Sequence, residues 1–246
     1  MSNKIWIVRP SEEHFVSDTK AHLAYKISDA HLLRGSIPAD TYGGWMMLSN
    51  YESSEYPDSL ISEILAECIR FSYKMVYFPM PISDSNGLFS FWHKLKTVLS
   101  RHGVLLLLPI SLSNSFHDVS FCVSSAVSGG SLRIYLTDLI SRYGAENLVL
   151  EHLLTRVKMT MPSPDGKGVT ISEAELQSIL AEPEIQPFYS PELCLNYFTY
   201  QANHNTQFIL FDDARSLTAK YHLGCSLGIN KHLFLFRELK NYYKAF

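Results

Sequence analysis

Met75-Val76-Tyr77-Phe78-Pro79-Met80-Pro81 is a short apolar run closed by two prolines. A helical pattern precedes it, from Ser59 to Arg70, and another follows, from Leu88 to His102. Helix, buried strand, helix is the pattern of a parallel α/β sheet, where the carboxyl ends of the strands carry the chemistry. This strand ends in Phe78, Pro79, Met80 and Pro81, with no acid, base or nucleophile.

Working outward, three strands are predicted before it: Lys4 to Val8, His22 to Ile27 and Trp45 to Asn50. Ser11 to Ala21 reads as a short helix capped by Ser11, with Glu12 and Glu13 in its first turn. Arg34 to Gly44 reads as loop. Leu60, Ile61, Ile64, Leu65, Cys68 and Ile69 form an amphipathic stripe before the run, and Leu88, Trp92, Leu95 and Leu99 form one after it. Downstream, Val104 to Ile110 is continuously apolar, as a central parallel strand requires. Val119 to Ser125 and Asn147 to Leu154 follow, the latter with Val157 to Met161 as a candidate continuation. Ser172 and Glu175 suggest a capping box. Strand candidates around Tyr197–Tyr200 and Gln207–Phe211, joined by Asn203-His204-Asn205, read as an antiparallel hairpin. His232 to Phe236 is the eighth strand. The expected fold is an α/β (β/α)₈ TIM barrel, one domain over residues 1–246, with a small antiparallel hairpin insertion at about 162–211.

Composition narrows the function. Hydrophobic content of 46% with 18% charged residues indicates a folded chain with a sizeable core. A net charge of -3 without a dense Lys/Arg cluster argues against a nucleic-acid partner. Ten His residues include no pair spaced for a helical metal site, and no cofactor or metal is expected. Cys68, Cys122, Cys194 and Cys225 lie apart in apolar contexts and read as buried free thiols. Without an apolar run of signal-peptide or membrane-span length, no membrane association is expected and the chain reads as cytoplasmic.

The last third carries a resemblance. Tyr197-Phe198-Thr199-Tyr200, Phe208 to Asp213, Ser216-Leu217, Lys220 and Leu227-Gly228-Ile229 resemble the closing segment of glycoside hydrolase family 18. The short bacterial spore-associated members are the most similar in layout. The resemblance implies a D-x-x-D-x-D-x-E motif on strand four. There the Glu protonates the glycosidic oxygen, and the Asp two residues earlier orients the N-acetyl group that acts as nucleophile, a substrate-assisted route. Laid on this chain, the four acidic positions fall on Tyr73, Val76, Phe78 and Met80. A rival placement over Glu146 to Leu153 keeps Glu146 and Glu151, but its terminal position is Leu153. Either placement lacks the catalytic Glu, so the motif reads as degenerate. Strand alternation predicts that Val76, Phe78 and Met80 fill the barrel.

Several residues are candidates for the cleft. Asn50, Tyr51 and Glu52 follow strand three, with Glu52 a replacement acid or a solvated loop carboxylate. Asp84 follows strand four, as an acid or as turn chemistry in Asp84-Ser85-Asn86-Gly87. Glu151 is a catalytic or a structural carboxylate. Ser124 sits where the family has a Tyr-Asp pair, without a nucleophile-elbow context. Phe236 stands at the aromatic floor, and Arg237 reaches the cleft or pairs with Glu238. Asp212 and Asp213 read as helix caps. Trp45, Trp92, Tyr51 and Tyr77 are sugar-stacking candidates, Trp92 reading as core and Tyr51 as the best placed. Three functions stand open: a pseudoenzyme binding glycan or peptidoglycan fragments, an active glycosidase using Glu52 or Glu151, and a barrel that binds another protein without sugar affinity.

Overall fold

The computed structural model describes residues 4–79, 87–127, 129–163, 168–202 and 204–246. In chain order the elements begin with β1 (Lys4–Val8), β2 (Thr19–Ser28), β3 (His31–Arg34), β4 (Trp45–Asn50), α1 (Asp58–Phe71), β5 (Met75–Tyr77) and α2 (Leu88–Arg101). There follow β6 (Leu105–Pro109), β7 (Ser120–Ser124), α3 (Leu132–Tyr143), β8 (Leu148–His152), β9 (Arg156–Met161), β10 (Val169–Thr170) and α4 (Glu173–Leu180). The chain ends with β11 (Phe188–Ser190), β12 (Leu195–Ala202), β13 (Asn205–Phe211), α5 (Ala214–Ser226), β14 (His232–Leu235) and α6 (Phe236–Leu239).

Eight parallel strands run β1-β14-β8-β7-β6-β5-β4-β2, and β2 pairs with β1 to close the barrel. The protein is therefore an α/β TIM barrel, and each of the eight strands read from the sequence takes part. β5, the run quoted first, lies fourth, between β4 and β6. By contacts the chain divides into two compact units. One holds residues 1–123, 145–151 and 229–237 and contains the barrel; the other holds residues 124–144, 152–228 and 238–246.

The barrel interior is a layered apolar core. Ile5 and Ile7, Ala21, Trp45 and Met47, Met75 and Tyr77, Leu107, Cys122, Val149 and Leu233 pack together, with Leu23 and Leu235 against them. Alternate residues of each strand point inward, as pleating demands. This sets the phase of β5 opposite to the expected one. Met75 and Tyr77 face inward, while Val76 and Phe78 face out. Phe78 is fully buried against the rings of Tyr51 (5.1 Å) and Trp92 (5.4 Å). An unbroken apolar run buried on both faces carries no alternation from which its phase could be read.

Two other expectations near the N-terminus change. The helix over Ser11–Ala21 is a 3₁₀ turn, Pro10–Phe15, preceded by Arg9 rather than capped by Ser11. The reason is that β2 begins at Thr19 to pair with β1, which leaves too little chain for an α-helix. The chain from Gly35 to Gly44 is loop as expected, and β3 (His31–Arg34), antiparallel to β2, is a strand that the sequence reading did not name. Asp29 and Ala30 form its turn with φ of 51° and 62°. Such a hairpin turn normally announces itself by Asn-Gly or Asp-Gly, and Ala hides it.

In the second unit, β10-β9-β13-β12-β11 form an antiparallel sheet. The expected hairpin is β12–β13, with Phe198 opposite Ile209. Val157–Met161 belongs to β9, paired with β13, and does not continue the seventh barrel strand. α4 buries Leu176 in a cluster with Ile171, Phe198, Ile209 and Phe211. Ser172 accepts the Glu175 N–H at 3.1 Å, but the Glu175 carboxylate pairs with Lys158 instead of completing a capping box.

Candidate functional site

The carboxyl ends of the barrel strands are where a TIM barrel assembles reacting groups. Tyr77 and Cys122 are the last apolar inward positions of β5 and β7. Glu151, two residues beyond inward Val149, lies on the same face of β8. The Cys122 thiol donates to Glu151 Oε2 at 3.9 Å. Burial, and then the charge of Glu151, push the Cys122 thiol well above its ordinary value. Burial also raises the Tyr77 phenol, with Cys122 and Glu151 adding to it. Both groups are thus held neutral, as hydrogen-bond partners rather than nucleophiles. A neutral thiol and phenol beside one inward carboxylate offer hydrogen-bonding groups to polar atoms of a ligand.

The fourth strand offers no acid. Its described inward positions are Met75 and Tyr77. Tyr73 precedes the strand, and its buried hydroxyl meets that of Tyr25 at 3.1 Å. Met80 and Asp84 lie outside the described residues. The rival placement over Glu146 to Leu153 falls on the seventh barrel strand, with Glu146 in a 3₁₀ turn before it, so it cannot be strand four.

Other candidates separate from this group. Tyr51 is not an exposed stacking surface: it is 1% exposed, wedged against Phe78 and Trp92. Trp45 and Tyr77 are interior, and Trp92 is core as expected. Asn50 turns the chain, its side-chain oxygen accepting the Glu52 N–H at 3.0 Å, and leaves Glu52 exposed on the loop. The Ser124 hydroxyl accepts the Ala126 N–H at 3.0 Å, a turn contact. Phe236 is not a floor to the barrel. It begins α6 and packs on Trp6 and Phe15, because its neighbours Leu233 and Leu235 take the inward phase. Arg237 and Glu238 are both exposed.

Cys68, Cys122 and Cys194 are buried thiols outside any disulfide, as expected, and Cys225 is a half-buried thiol outside any disulfide. Asp213 caps α5, accepting the Ser216 N–H at 2.8 Å. Asp212 does not cap the helix: it forms a fully buried ion pair with Lys220 at 2.8 Å. Among the described residues no group of His, Cys, Asp and Glu is arranged to hold a metal, and no helix is long and apolar enough to cross a membrane.

No protein-family model and no curated protein matches the sequence. Solved structures do. A chitinase from Chromobacterium violaceum ATCC 12472 covers 98% of this chain and 97% of its own at 14% identity, with a TM-score of 0.64. The spore cortex-lytic enzyme SleL of Bacillus megaterium QM B1551 covers 94% of this chain and 69% of its own at 14% identity, TM-score 0.60. A GH18 chitinase from Cycas revoluta, solved with (GlcNAc)3, covers 94% of each chain at 9% identity, TM-score 0.58. The fold is that of family 18 chitinases. In chain order β9 to β13 come between the seventh and eighth barrel strands, β8 and β14. Sequence reasoning named Glu151 but missed its Tyr77 and Cys122 neighbours. Inward alternation from Val149 and Tyr77 is the signal that joins them, and it needs the phase of each strand.

Proposed function

We propose that the protein is a glycan-binding barrel derived from a family 18 glycoside hydrolase, with N-acetylglucosamine-containing oligosaccharides, peptidoglycan fragments among them, as ligands. The observation that carries this reading is the fourth strand. Its inward positions are Met75 and Tyr77 where the family's route needs carboxylates, and a thioether and a buried phenol cannot protonate a glycosidic oxygen. The GH18 chitinase solved with (GlcNAc)3 supports the choice of sugar.

One observation favours a second reading, a slow hydrolase. Glu151 is an inward carboxylate beside Cys122. Because a substrate-assisted route draws its nucleophile from the N-acetyl group, one correctly placed acid is its minimum. Calorimetric titration with N-acetylglucosamine oligomers, alongside a hydrolysis assay, separates the two. Calorimetry suits this chain because Trp6, Trp45 and Trp92 are all buried and report poorly on a surface ligand. Saturable heat without hydrolysis above blank is expected. Hydrolysis abolished by Glu151→Gln would establish the second reading. No heat with any oligomer would leave a barrel that binds another protein.

A further inference from the structure

We draw no further inference here: the strongest candidate, the surface patch formed by the rings of Phe188, Tyr197 and Phe208 across β11, β12 and β13 of the antiparallel sheet, is an apolar sheet face, and nothing in the structure shows what covers it.

Discussion

Asp212 and Lys220 form an ion pair at 2.8 Å with both side chains fully buried. The pair is not isolated. Asp212 Oδ2 also accepts the Thr155 N–H at 2.9 Å, and Oδ1 accepts the Ser216 hydroxyl at 2.7 Å. The Asp212 N–H returns to the Thr155 carbonyl at 2.9 Å. One carboxylate therefore ties the chain ahead of β9 to the first two turns of α5. Removing one member leaves the other charge buried without its partner. Lys220→Ala or Asp212→Ala should cost about 3–5 kcal/mol, read as a lower urea midpoint. Replacing both members by apolar residues of similar volume should recover much of that loss, because a buried pair is worth little more than good packing.

The neighbouring Asp213 is a sharper contrast than its chemistry suggests. Its carboxylate accepts the Ser216 N–H at 2.8 Å, and the Ser216 hydroxyl accepts the Asp213 N–H at 2.9 Å. Asp213→Ala removes one cap bond at a partly exposed helix start and should cost only about 1 kcal/mol. Equal losses for Asp212→Ala and Asp213→Ala in the same denaturation series would contradict the separation of roles.

His232 governs acid stability. It is fully buried, and its Nε2–H donates to the Ile229 carbonyl at 2.9 Å. Burial lowers its pKa to about 4 from the ordinary 6.5. The unfolded chain therefore takes up the proton first as pH falls. The contribution of the neutral ring is full above pH 6.5 and is lost progressively down to about pH 4. That loss is on the order of 3 kcal/mol. His232→Gln, which keeps a side-chain donor, should flatten this part of the stability profile in denaturant melts run across the window.

Tyr51 tests whether the loop after β4 binds sugar by stacking. Its ring is packed edge-on to Phe78 at 5.1 Å. Tyr51→Ala should therefore destabilise by about 3 kcal/mol or more through the cavity it opens. Tyr51→Phe should leave glycan affinity unchanged in calorimetry. A selective loss of affinity in the folded Phe variant would return Tyr51 to the site.

Glu151 and Cys122 give a further check. Since the thiol donates to the carboxylate at 3.9 Å and is held protonated, Cys122 should resist alkylation in the native state. Cys225, half-buried, should react first, as mass analysis of iodoacetamide-treated protein would show. Rapid labelling of native Cys122 would mean that the barrel mouth is open to solvent at that depth.

By itself the sequence determined the number and order of the barrel strands, the hairpin ahead of the last one, and the absence of any acid between Arg70 and Ile82. Helix stripes are local signals and survive in the fold, and so do the Ser172 and Asp213 caps, whereas the Ser11 cap and the Ser172–Glu175 box do not. Only the tertiary structure decided which way the residues face. Met75 to Phe78 is apolar throughout, so nothing in its pattern tells inside from outside, and barrel closure turned Tyr77 inward and Phe78 out. The same holds for residues far apart in the chain. Cys122 meets Glu151, Glu13 meets His22 and Asp212 meets Lys220 because strand register brings them together, and no short-range pattern announces a contact that register creates. That the fourth strand carries no acid was therefore legible from the start, while the contacts among polar groups far apart in the chain were not.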